Sequence, residues 1–290
     1  MSLDAVVNID LFVAKKTLSL TPVAKNSTVS APVKISDCIR PLALSFAAFF
    51  CVAHAVSSRL AKTTNKIFLK LLKFSHKFWK IKKITKIEKN IFIKHCLLFY
   101  KNKTFKRISL FYKKFYIKDK KEIINGHTIP KLSELLNQVD WQNISNGIPV
   151  RFHGDFHFEN ILFQKEKNKF ILLDWRENFS KYLNLGDIYY DFAKLMHGLI
   201  VNHGIIANDQ YSALWKDGEI KYDLHRKQSL VECEHKFNNW IVSSGYDLKK
   251  VRILTALIYL NIAALHHYPY SLLLYGLGKK MLYKESSKEL

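Results

Sequence analysis

Asp155 and Asn160 stand five residues apart in the stretch Arg151-Phe-His-Gly-Asp-Phe-His-Phe-Glu-Asn-Ile-Leu162, in a loop opened by His153. A carboxylate in such a loop can orient or deprotonate a hydroxyl. An amide oxygen can serve a hard cation, and that cation needs a further oxygen donor. Asp174, in Phe170-Ile-Leu-Leu-Asp174-Trp175, supplies a candidate. The apolar runs Asn160-Ile-Leu-Phe163 and Phe170-Ile-Leu-Leu173 flank the polar Gln164-Lys-Glu-Lys-Asn-Lys169, a pattern that predicts a β-hairpin. A hairpin would return Asp174 beside Asn160, so that both oxygen donors face one ion.

The next segment, Gly186-Asp187-Ile-Tyr-Tyr-Asp191-Phe-Ala-Lys-Leu-Met-His-Gly, reads as a helix start with Asp187 at the N-cap and Asp191 in the opening turns. The Asp–Asn spacing is that of protein-kinase-like catalytic loops. The whole order resembles the aminoglycoside phosphotransferase/choline kinase family. That family's signature is H-G-D-x-H-x-x-N, then a hydrophobic strand ending in D-W, then G-D-x-x-x-D. The resemblance implies that Asp155 is the catalytic residue and that Asn160 and Asp174 are magnesium ligands. It makes His153 a brace for the loop, and Asp187 and Asp191 structural ties between the helix start and the catalytic segment. His157 matches the signature without an evident role, and no nucleotide-binding residues can be assigned.

These residues need elements to position them. Phe68, Leu71, Leu72, Phe78 and Trp79 follow a helical period, and residues 91–115 repeat the theme with Leu97, Leu98, Phe105, Ile108, Phe111, Tyr112 and Phe115. Gly126-His-Thr-Ile-Pro130 reads as a turn and Leu132–Val139 as a short helix, with Leu230–Ser243 and Val251–Leu265 as later helices separated by Gly245. The expected fold class is α+β: a mostly helical, kinase-like C-terminal lobe over residues 67–280 around one catalytic hairpin. Residues 1–66 differ in composition, with nine Ala in positions 1–60 against seven in the remainder, and four Lys against 35. The first glycine is Gly126, so no glycine-rich loop precedes the catalytic motifs. The expectation is therefore a truncated or degenerate N-terminal nucleotide lobe, with a partner protein as one source of the missing part.

The formal net charge is +22, and residues 61–121 carry 20 Lys or Arg against Glu88 and Asp119. Only seven of the 46 basic residues are Arg, the residue favoured for bidentate phosphate and base recognition, which argues against nucleic acid as the partner. Cys38, Cys51, Cys96 and Cys233 form no C-x-x-C pair, and neither Cys233-Glu-His235 nor His266-His267 brings the further ligands a zinc site needs. The cysteine usage suits a reducing cytoplasm. Residues 42–56 are apolar but, at 15, short of the roughly 20 needed to span a bilayer, so a packed helix is expected before a membrane anchor. Taken with the resemblance, the expected activity is magnesium-dependent phosphoryl transfer from ATP to a hydroxyl of a small molecule. The implied acceptor is a sugar or related metabolite, as in bacterial relatives that serve surface-polysaccharide synthesis. A truncated kinase fold retained as a binding module is the alternative.

Overall fold

The computed structural model describes residues 6–8, 62–183 and 185–287. The 42–56 segment and nearly all of the expected nucleotide-lobe region lie outside the described residues. Among these residues no helix is long and apolar enough to cross a membrane.

Helix α1 spans residues 62–78 and buries Phe68, Leu71 and Leu72. Helix α2, Lys86–Leu97, begins at a capping box written in its sequence: Thr85 Oγ1 accepts the Glu88 N–H and the Glu88 carboxylate accepts the Thr85 N–H. The expected single helical run through residue 115 is divided. A π-helical turn, Leu98–Asn102, separates α2 from α3, Lys103–Phe115, and both Phe99 and Tyr100 within it are buried. Such turns insert a residue into the helical register. Helix α3 then buries Thr104, Ile108 and Phe111, at helical spacing, and exposes lysines on its other side.

The expectation of one hairpin requires correction. Glu122–Ile124 (β2) and His127–Ile129 (β3) form a hairpin where only a turn was anticipated, and Tyr211–Lys216 (β8) and Glu219–Leu224 (β9) form another. Asn125-Gly126 and Asp217-Gly218 turn these hairpins with positive φ at all four residues, the backbone that Asn-Gly and Asp-Gly pairs adopt most readily. Parallel pairing of β2 with β9 joins them into a four-stranded sheet of order β3-β2-β9-β8. The expected catalytic hairpin consists of Ile161–Gln164 (β5) and Lys169–Leu172 (β6), and Val6–Asn8 (β1) pairs antiparallel on the other edge of β5.

Two short strands do most to position the site. Pro149–Val150 (β4), just before the His153 loop, pairs with Gly186–Asp187 (β7), just before helix α6, Ile188–Ile200. The start of the loop is thereby fixed to the start of a buried helix. Helix α6 packs against α9, Leu248–Ala263, which packs in turn on α10, Tyr270–Ser286. A Cβ at Gly278 would stand 3.0 Å from the Ala256 carbonyl oxygen, so glycine permits the close approach of these last two helices. Beneath the loop, Trp79 meets Phe156 at 5.1 Å and Phe192 at 4.9 Å, both edge to face.

Candidate active site

The loop is held from below by Asp191, which is fully buried one turn into α6. Its Oδ2 accepts the His153 N–H at 2.7 Å and the Trp79 indole N–H at 2.9 Å, and its Oδ1 accepts the Gly154 N–H at 2.7 Å. Burial raises its pKa to about 6 despite these three bonds. Asp187 is also fully buried and caps α6 through the Tyr189 N–H, while accepting the Ile148 N–H at 2.9 Å and the Tyr100 hydroxyl at 2.7 Å. Burial raises its pKa too, against the pull of Lys250 and the bonds it accepts.

The loop itself turns at Gly154, where φ is +80° and a Cβ would stand 2.5 Å from the Arg176 Cβ. His153 is fully buried, and its Nδ1 accepts the Asp155 N–H at 3.2 Å. Burial lowers its pKa to about 4, so the ring is neutral near pH 7. Its Nδ1 therefore acts as an acceptor that fixes the backbone of Asp155.

Asp155 is partly open, with 39% of its side chain exposed, and both oxygens are engaged. Lys194 Nζ lies 2.6 Å from Oδ1, and His157 Nε2 lies 3.2 Å from Oδ2. Burial pushes this carboxyl up, but the His157 hydrogen bond and the Lys194 charge outweigh it and hold the group well below the usual carboxylate range. His157 reaches Glu159 on its other side, Nδ1 to Oε2 at 2.5 Å. Burial lowers the pKa of this imidazole, yet its two carboxylate partners raise it to about 9, while His157 draws Glu159 down to about 2 against burial. Near neutral pH the arrangement is a carboxylate, an imidazolium and a second carboxylate in a row, with an ammonium on the first.

Asn160 is buried, and its amide nitrogen donates to the Asp155 carbonyl at 3.0 Å. The Leu173 N–H donates to the Asn160 carbonyl at 2.9 Å, extending the β5–β6 ladder, so Asp174 is the next residue beyond Asn160's partner. Asp174 is exposed and takes φ of +50°, a left-handed conformation that Asp tolerates better than most residues. An amide oxygen and a carboxylate are hard donors suited to magnesium, which commonly takes one or two protein ligands and completes its shell with water and phosphate. Among the described residues no cluster of three or more His, Cys, Asp or Glu could hold a metal ion.

Residues 121–226 match the phosphotransferase enzyme family, APH. This is consistent with the aminoglycoside phosphotransferase/choline kinase-like resemblance of the sequence. The phosphotransferase-like segment contains Asp155, Asn160, Asp174, Asp187 and Asp191, and members of the family generally use ATP and magnesium and act on small molecules. No curated protein and no solved structure matches the chain.

Several residues around Asp155 were not singled out from the sequence. Lys194 follows Asp191 by three positions and so shares its face of α6, and Glu159 lies two positions after His157. Arg176 follows the Asp-Trp pair of the signature. Each was adjacent to a recognised motif. Lys103 and Arg107 of α3 had no such signal, being two of the many basic residues in their stretch.

Proposed function

We propose that this chain is an ATP-dependent phosphotransferase that moves the γ-phosphoryl group to a hydroxyl of a small molecule, with a sugar or related metabolite as the acceptor class. The observation that supports the reading is the ionised Asp155, engaged by Lys194 and His157, with Asn160 bonded to the same loop and Asp174 next in sequence to the residue that pairs with Asn160. Magnesium held by Asn160 and Asp174 would neutralise charge on the nucleotide phosphates.

Asp155 orients the acceptor hydroxyl. The hydroxyl oxygen forms a bond to the γ-phosphorus, the bond from that phosphorus to the bridging oxygen breaks, and ADP leaves with the electron pair. A carboxylate held this far below the ordinary range is a weak base toward a free alcohol. In a loose transition state, however, the hydroxyl becomes strongly acidic only once its oxygen has bonded to phosphorus, so Asp155 receives the proton late. Lys194 holds the carboxylate in place and keeps it ionised until then. The cytoplasm, which supplies ATP, is the location that accompanies this reading.

The test is calorimetry of ATP binding with and without magnesium. Asp174→Ala should remove the magnesium-dependent affinity while circular dichroism stays unchanged, and Asp155→Asn should bind magnesium-ATP but transfer nothing. Magnesium-dependent affinity that survives Asp174→Ala overturns the metal assignment. Tight magnesium-ATP binding by the native chain, with no transfer to any hydroxyl when a lobe-supplying partner is also present, would instead favour a binding module.

A further inference from the structure

Lys103, Arg107, Arg176 and Lys194 lie near enough to act on one another, more positive charge than the Asp155 carboxylate among them can balance. Lys103 and Arg107 stand one turn apart on α3, and Arg176 follows β6. Lys103 Nζ lies 4.7 Å from the centre of the Phe99 ring and Arg176 Cζ lies 5.2 Å from the same ring, so the π-helical turn brings cations from two elements together. The Arg176 stem rests on Gly154, the residue before Asp155, and its backbone N–H donates to the His153 carbonyl at 2.9 Å. None of the four cations is fully exposed, and among the described residues only Lys194 has an acidic partner within ion-pair distance. Burial lowers the Lys103 pKa to about 8, and repulsion from Arg176, Lys194 and Arg107 adds to it. Half-buried like charges drawn together without counter-ions are unfavourable in the free protein, and they become favourable when an anion enters.

We infer that Lys103, Arg107, Arg176 and Lys194 form a subsite for a carboxylate or phosphate group carried by the acceptor molecule. The inference rests on the proposed phosphotransferase reading in calling that molecule an acceptor. The donor nucleotide also carries phosphates, but its metal-bound groups belong with Asn160 and Asp174. Lys103 and Arg107 come from α3, and Lys194 engages the Asp155 oxygen other than the one that faces His157 and Asn160. An acceptor whose hydroxyl met Asp155 on the Lys194 side would bring its neighbouring substituents toward these cations. The planar guanidinium groups suit a two-oxygen anion, and the lysines add point charge.

Binding without nucleotide tests this on the full chain, with glucose, glucuronate and glucose 6-phosphate as matched probes. Either anionic sugar should bind at least about tenfold more tightly than glucose, and the preference should weaken with added salt. Lys103→Ala with Arg107→Ala should erase it and leave magnesium-ATP affinity unchanged; both side chains lie partly at the surface, and circular dichroism checks the fold. Equal affinity for all three probes overturns the inference while leaving the phosphotransferase reading intact. A double variant that loses magnesium-ATP affinity and keeps the sugar preference also overturns it, by assigning the cations to the donor. Selective anion binding by a chain that binds no magnesium-ATP even with a lobe-supplying partner present would support the subsite and refute the phosphotransferase reading.

Discussion

Replacing Asp191 separates what its shape contributes from what its charge costs. The buried carboxylate accepts the His153, Gly154 and Trp79 N–H groups. Asp191→Ala strands three buried donors, each worth about 1–3 kcal/mol. In Asp191→Asn the amide oxygen can keep the two donors that share Oδ2, so the Asn variant should be more stable than Ala by about 2–4 kcal/mol. The pH dependence has a definite sign. With the folded pKa raised to about 6, the native state holds a proton between about pH 4 and 6 that the unfolded chain releases. Stability from this site is therefore fully present below about pH 4 and falls as pH rises through the window, by about 3 kcal/mol in all. Asn does not titrate, so the stability lost on Asp191→Asn should be about 1 kcal/mol larger at pH 5 than at pH 7. Urea unfolding of the three proteins at both pH values measures this. Equal losses for Ala and Asn, or a loss on Asp191→Asn that grows with pH, would refute the reasoning.

Gly154→Ala should cost about 3 kcal/mol or more, because it combines a positive φ with a Cβ placed 2.5 Å from Arg176 Cβ and 2.7 Å from Phe152 Cε2. Gly126→Ala, with similar φ and open space, should cost only about 1–2 kcal/mol, and thermal unfolding of the pair tests whether the crowding matters. Binding of random duplex DNA, followed by fluorescence anisotropy, should be weak and vanish near physiological salt, since the lysines of residues 61–121 offer charge without base-edge recognition. Sub-micromolar binding at that salt would contradict this. Lys279→Met should destabilise by about 3–5 kcal/mol in urea unfolding, because it leaves Glu122 buried without the ammonium now 2.6 Å away.

The readable parts of this protein are those whose physics is local. The Asp155–Asn160 interval, the two apolar runs that become β5 and β6, and the Asp187 cap all depend on residues a few positions apart, where spacing alone dictates which backbone groups can meet. The Asn125-Gly126 and Asp217-Gly218 hairpins were equally local and could have been read from their turn residues. The parallel join of β2 to β9 could not, because strands nearly a hundred residues apart choose partners through the packing of everything between them. The surroundings of Asp155 divide in the same way. Its neighbours His157, Glu159 and Asn160 are in the motif, whereas Lys194 reaches it because α6 is fixed to the loop by β4, β7 and Asp191. Lys103 and Arg107 look in the sequence like any others in a lysine-rich stretch. The π-helical turn and the Phe99 ring set Lys103 beside Arg176 near the carboxylate, since electrostatic interaction depends on distance and burial, and only the packed chain determines both.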